Sequence, residues 1–315
     1  MRVYRWDLDK TYLHTEFDTF RDMLRTALEP AAKKRAIPGA TPLLRALGRS
    51  DLSRIYVLSG SPTQMREVLE EKFRLDGVRV DQLVLKDNLS SLRRGRLRAV
   101  RGQFGYKLPR LLQARVGLGP AVRETLFGDD AEVDALVYSI YADAIAGRLH
   151  SAELARVLEA AGGYPEAVAH ALEALRRVAH ADPVERIFIR LARGRPHTAF
   201  APLGTRVLPI RSWLEAALVL HGAGELQAED VQAVREACVA ADASHDLVRV
   251  FSSVLQRGWV PPVRMEALLA EVPGDAAWES CGRELARGGW SYTPPEPPRG
   301  VDYLEVLRAF PRAIG

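Results

Sequence analysis

Cysteine is nearly absent from this chain: Cys238 and Cys281 are the only two in 315 residues, and no metal-ligand spacing joins them. Both are expected as small buried hydrophobes without a function of their own. Long apolar runs are missing too. No stretch of about 18 apolar residues occurs, which excludes an evident membrane span. The start, MRVYRWDLDK, carries charge where a signal peptide would hold its apolar core, so the expected location is the cytoplasm. Several familiar chemistries lack their motifs. There is no G-x-x-x-x-G-K-[ST], H-E-x-x-H, C-x-x-C or G-x-S-x-G, and the seven histidines are scattered, with only His14 close to the segments considered below.

What is present is a globular composition, with 47% hydrophobic and 27% charged residues. A chain of this size buries about 75% of the surface it exposes when unfolded, so bulk stability requires neither disulfides nor metal. The net charge of +4 conceals an asymmetry. Residues 1–150 hold 26 Lys/Arg against 19 Asp/Glu, and the remainder 18 against 21, so the first half is the one suited to anions.

In that half, short apolar runs at Val3–Trp6, Ile55–Leu58, Val78–Leu85 and Glu124–Phe127 alternate with helical patterns at Phe20–Leu28, Thr41–Leu47, Pro62–Phe73, Lys107–Val116 and Asp134–Gly147. This alternation predicts βαβ units and a Rossmann-like parallel sheet with flanking helices. Pro109 is placed in the first turn of its helix, where proline is tolerated. Leu136, Val137, Ile140, Tyr141 and Ala144 share one helical face, which can cover a sheet. From Ser151, read as an N-cap, the pattern changes to helices only, ending first at Gly162-Gly163 and resuming at Pro165–Val178, Pro183–Ala192, Ile210–Leu220, Ala228–Ala241, Asp246–Gln256 and Pro261–Ala270. The expected organisation is therefore a catalytic domain over 1–150, an all-α domain over 151–291, and a proline-rich linker with a terminal helix over 292–315.

Four segments carry chemistry. Asp7-Leu8-Asp9-Lys10-Thr11 follows the first run, and two carboxylates one residue apart can act separately, one as nucleophile and one as acid and base, if the chain turns between them. Ser59-Gly60-Ser61-Pro62 follows the second run and offers a hydroxyl and a helix N-terminus to an anion. Lys107 opens its helix. Gly128-Asp129-Asp130, with Asp134 beyond, is a carboxylate cluster suited to a hard cation such as Mg²⁺. Three of the four lie at the C-terminal end of an apolar run, the edge of a parallel sheet where ligands bind.

These segments resemble, in order, the four motifs of the haloacid dehalogenase superfamily of phosphohydrolases, and within it the catalytic domain of the actin-patch phosphatidate phosphatase family, over about residues 1–148. The sequence departs from that family at Lys10, where an acidic residue is common, and at Gly60, where Asn is common. The resemblance implies a Mg²⁺-dependent phosphomonoester hydrolase. Asp7 would attack phosphorus, Asp9 would protonate the leaving oxygen and later activate water, and Ser59 and Lys107 would contact the phosphoryl group. Mg²⁺ would be held by Asp7, the carbonyl of Asp9 and Asp129, with Asp130 and Asp134 orienting metal waters or Lys107.

Leu92–Arg101 reads LRRGRLRAVR. Five arginines there make either a solvated face or a clamp for a polyanionic substrate or an anionic membrane surface, worth about 1 kcal/mol per basic residue near such a surface. No aromatic residues interleave them, so nucleic acid is not the expected partner. The alternative function is a binding or scaffolding protein whose helical half recognises a partner. A phosphoester substrate, phosphatidate-like lipid included, is the reading the four motifs favour.

Overall fold

Among the described residues, buried apolar side chains in runs too short for helices form six strands: β1 (Arg2–Asp7), β2 (Ser53–Pro62), β3 (Gln82–Lys86), β4 (Arg123–Asp129), β5 (Val184–Arg190) and β6 (Val207–Ile210). The computed structural model describes residues 1–15, 30–86, 100–272, 274–294, 296 and 300–309. The six strands make one sheet in the order β3-β2-β1-β4-β5-β6, with every neighbouring pair parallel. The fold is the expected Rossmann-like sheet with flanking helices followed by a helical C-terminal region. Its strand order reverses between β1 and β4, and the crevice at the carboxyl ends of those two strands is where such sheets bind ligands.

Successive strand residues face opposite sides of the sheet. Trp6, Phe127 and Phe188 point to one side, and their rings stack across β1, β4 and β5 with centroids 4.2 Å and 5.2 Å apart. Trp213 tilts onto Trp6 at 5.0 Å. This aromatic row coincides with the strand register, Trp6 beside Phe127 and Phe127 beside Phe188, and so fixes how far each strand end reaches. On this side pack α1 (Ala40–Leu47), α2 (Arg66–Leu75) and a C-terminal group of α7 (Trp213–Gly222), α8 (Ala228–Ala241), α9 (Leu247–Gln256), α10 (Pro262–Glu271) and α11 (Ala276–Ala286). The other side, with Leu126, Ile187 and Ile189, is covered by α3 (Val100–Arg115), α4 (Asp134–Ile145), α5 (Ser151–Ala160), α6 (Pro165–Arg177) and α12 (Tyr303–Ala309).

Several expectations change. Pro183–Ala192 is not a helix: it contains β5, and β6 follows it, so the second half contributes two strands to the sheet before its helices resume at Trp213. Helix α3 begins at Val100, which puts Pro109 inside it and Lys107 well past its start. Proline at 109 removes the hydrogen bond to the Gly105 carbonyl, and Gly105 lies where α3 approaches Ala167 of α6, with room for little more than a Cβ. The residue before α5 is His150, so Ser151 is its first helical residue and not its cap. Val78–Val80 precede β3 and stay outside it. Every residue of α4 is buried, because other helices cover the face turned away from the sheet. Helix α11 was not foreseen. Cys238 and Cys281 are free and buried, and burial pushes both thiols up to about 12, as suits inert core residues. The helical pattern at 20–28 and residues 92–99 of the arginine-rich segment lie outside the described residues. Among the described residues, no helix is long and apolar enough to cross a membrane.

Candidate active site

Asp7 is the last residue of β1 and shares a sheet face with Arg5, toward α3 and α4, while Leu8 turns back into the opposite core. The chain then leaves the strand in a tight turn. Tyr12 and Leu13 both donate their amides to the Leu8 carbonyl, the Lys10 amide donates to the Leu13 carbonyl, and Lys10 takes a left-handed φ of 58°. This turn separates the two carboxylates as the sequence spacing required. Asp9 Oδ2 accepts from Ser59 Oγ at 3.2 Å and from Ser61 Oγ at 3.1 Å, and Ser59 Oγ accepts the Ser61 amide at 2.9 Å. The serines can turn toward Asp9 because the pairing of β2 with β3 is interrupted between Leu58 and Pro62. Burial raises the Asp9 carboxyl above its ordinary range, Glu132 adds to the rise, and the two serine bonds oppose it.

Lys107 reaches this edge from the middle of α3. Its fully buried ammonium donates to Asp7 Oδ1 at 2.8 Å, to Glu132 Oε2 at 2.7 Å and to Asp134 Oδ1. Burial works against the ammonium, but Asp134, Asp7 and Glu132 outweigh it and hold it charged. The three carboxylates have oxygens within 4.8 Å of one another, spacing that suits a metal ion. Here that space holds the lysine ammonium, so the trio is the cage of Lys107.

At the end of β4, Asp129 accepts the Ala131 amide at 2.6 Å on Oδ1 and the Thr11 hydroxyl at 3.2 Å on Oδ2. Asp134, at the first turn of α4, presses onto Gly128: a Cβ there would stand 2.6 Å from Asp134 Oδ2. Glycine at 128 is therefore required by the close approach of Asp134. Asp130 turns away from the site. Its two oxygens accept the amides of Arg193 at 2.7 Å and Arg195 at 3.2 Å, in the turn after β5, which removes it from the carboxylate cluster in which the sequence placed it. His14 lies exposed beside the D-x-D turn.

The cluster holds more carboxylates than one ammonium can pair. Burial first, then neighbouring carboxylates, push Asp129 up to about 8 and Asp134 up to about 6, and hold Asp7 well above its ordinary range despite Lys107. Asp7 Oδ2 is buried and has no hydrogen-bond partner among the described residues. An orphaned carboxylate oxygen among carboxylates that burial makes costly to ionise is the donor chemistry of a hard cation site, so these residues fit such an ion.

Sequence reasoning brought Asp7, Asp9, Ser59, Lys107, Asp129 and Asp134 to one edge, as the structure has them. It missed Glu132, Ser61 and Thr11, which stand within the quoted segments but carry no spacing signal of their own. It also missed Arg190 at the end of β5, whose Nε donates to the Lys10 carbonyl at 2.8 Å, because that stretch read as helix.

A parallel α/β sheet with a lysine-anchored carboxylate cluster at its switch point is an architecture suited to phosphoryl transfer. Residues 6–152, just under half of the chain, match the family model described as phosphatidate phosphatase APP1, catalytic domain, in agreement with the resemblance carried by the four motifs. No curated protein and no solved structure gives a significant match to the chain.

Proposed function

We propose that the protein is a Mg²⁺-dependent phosphomonoester hydrolase of the haloacid dehalogenase type, acting on phosphatidate or a closely similar lipid phosphate. The observation that carries this reading is the state of Asp7: Oδ1 is fixed on the Lys107 ammonium and Oδ2 has no partner among the described residues, at the strand end where the four motifs meet. The family match over the same residues supports the substrate class.

In this reading an Asp7 oxygen attacks phosphorus and the bond from phosphorus to the leaving oxygen breaks, giving an aspartyl phosphate. Asp9, half-buried and raised in pKa by desolvation, delivers its proton to the leaving oxygen. The resulting Asp9 carboxylate then takes a proton from the water that hydrolyses the aspartyl phosphate and restores Asp7. Lys107 offsets charge on the nucleophile and the phosphoryl group, held in place by Asp134 and Glu132. Ser59 and Ser61 keep Asp9 oriented, and Ser59 also offers its hydroxyl toward the phosphoryl group. A Mg²⁺ ion held by Asp7, Asp129 and the Asp9 carbonyl would neutralise the phosphoryl oxygens, so that two anions can meet. The location that fits is the cytoplasm with peripheral contact to an anionic membrane, since the substrate headgroup lies in one.

The test is phosphate release from phosphatidate in mixed vesicles and from a soluble aryl phosphate, each with Mg²⁺ and after exhaustive chelation. Release from phosphatidate that stops on chelation and returns with Mg²⁺ is expected. Release that persists in full after chelation, or none from any phosphomonoester, overturns the proposal.

A further inference from the structure

The family match ends at residue 152, yet four bonds from later residues hold the two acidic motifs. Arg190 Nε donates to the Lys10 carbonyl at 2.8 Å, Trp213 Nε1 donates to the Thr11 carbonyl at 3.2 Å, and the Arg193 and Arg195 amides hold Asp130. Arg190 is the most consequential of these, because Lys10 is the single non-glycine residue with a left-handed φ among the described residues. A lysine in that region is costly, and such a conformation persists only where its surroundings over-determine it. Here the Lys10 amide is fixed by the Leu13 carbonyl and by Thr15 Oγ1, and its carbonyl is fixed by Arg190.

The Lys10 turn is also what separates the places of Asp7 and Asp9. One carboxylate points to Lys107 and the other to Ser59 and Ser61 only because the chain reverses immediately after them. Arg190 ties β1 and β4 to β5 at the same edge, its Nε on the Lys10 carbonyl and its own carbonyl accepting the Asp130 amide at 3.0 Å. Its place is fixed by register, since Arg190 stands beside Asp129 in the sheet.

We propose that Arg190 is a positioning residue of the candidate active site, holding the left-handed Lys10 turn through its carbonyl and thereby setting the relative placement of Asp7 and Asp9. The proposal rests on the reading of Asp7 and Asp9 as nucleophile and acid, and it assigns part of the site to the half of the chain beyond the family match. It is distinct from substrate contact. A residue that binds the phosphoryl group equally in the ground and transition states changes KM, whereas one that sets the turn changes kcat and quickens exchange in the turn.

The test compares the full-length protein with Arg190→Met and Arg190→Lys, and Arg190→Gln replaces Arg190→Met if the latter does not fold. Two readouts are needed: kcat and KM on the best phosphomonoester found, and amide hydrogen exchange over residues 8–13. With a misplaced reacting group, Arg190→Met should lose about 10–100-fold in kcat with KM changed by less than about threefold. Arg190→Lys keeps a cationic donor one bond beyond Nε and should recover most of that loss. Exchange at the Lys10, Tyr12 and Leu13 amides should quicken by about tenfold or more in Arg190→Met, and stay unchanged over Val3–Trp6. Unchanged kcat, a rise in KM alone, or unchanged exchange in the turn would each overturn the proposal. If the wild type hydrolyses no phosphomonoester, the phosphatase reading fails by itself, and the exchange arm still decides whether Arg190 holds the turn.

Discussion

Two buried charge clusters stand two residues apart on β1, on the same face of the same sheet, and they are built to different rules. At Arg5, the Glu124 carboxylate divides its oxygens among Arg5 Nε at 2.6 Å, Arg115 NH1 at 2.9 Å and the Tyr141 hydroxyl at 2.8 Å. Burial works to raise the Glu124 carboxyl, but the arginines outweigh it and hold Glu124 ionised, below its ordinary range. At Asp7, one ammonium serves three carboxylates, Asp129 adds a fourth nearby, and an Asp7 oxygen has no partner among the described residues. Both clusters lie against α3 and α4, with Arg115 and Tyr141 serving the first and Lys107 and Asp134 the second. What separates them is the charge balance: the first satisfies its carboxylate from within the chain, and the second crowds more carboxylates around one ammonium than it can pair, so burial and their mutual repulsion raise Asp7, Asp129 and Asp134 above their ordinary range. Burial of charge alone does not mark a functional site, since a network whose carboxylate is fully paired rigidifies a core equally well.

Substitutions sharpen this comparison. The largest effect is expected at Asp7→Asn, which should remove all measurable turnover because an amide cannot attack phosphorus. Since it also takes one carboxylate out of an overcrowded cluster, its melting temperature should not fall. A well-folded Asp7→Asn protein that still releases phosphate would end the nucleophile assignment. Next comes Lys107→Ala, with a loss of about 10²–10³ in kcat, the size expected for one preorganised transition-state donor. Lys107→Arg should not restore it, because a planar fork does not fit a cage built around a compact ammonium. Arg110→Ala, at an exposed position one turn later, should be nearly silent in the same assay. Equal kinetics for Lys107→Ala and Arg110→Ala would make Lys107 a structural charge like Arg5.

The smallest effect on turnover belongs to Glu124→Leu, which leaves Arg5 and Arg115 buried without their carboxylate. It should cost about 3–5 kcal/mol in denaturant unfolding while the folded protein keeps its kcat within about twofold. A fall in kcat comparable to that of Lys107→Ala would show that the two clusters act as one unit and that the division drawn between them is false.

Much of the site was legible in the sequence because its parts sit at the ends of apolar runs, where the order of residues alone puts them at one sheet edge. Asp7 after Val3–Trp6, Ser59 after Ile55–Leu58 and Asp129 after Glu124–Phe127 are all of this kind. The second half was misread at β5 for a definite reason. Val184, Ile187, Phe188 and Leu191 are spaced i, i+3, i+4 and i+7, which satisfies the helical template, while a strand buried on both faces shows no alternation to contradict it. The β-branched Val184, Ile187 and Ile189 were the signal that favoured a strand. Asp130 was placed with its neighbours because adjacent acids look equivalent in a sequence. In the structure one turns to Thr11 and the other to the amides after β5.

The sequence by itself determined the types and order of the reacting groups, and with them the sheet edge at which they meet: acid, hydroxyl, lysine and acids, each tied to a local strand end or helix. Tertiary structure alone decided that Glu132 joins the cage of Lys107, that Asp130 leaves the cluster, and that Arg190 holds the Lys10 turn from 180 residues away. The physical reason is that these are balances of charge and hydrogen bonding at distances of about 3 Å, which depend on strand register and helix packing between distant parts of the chain and leave no periodic trace along it.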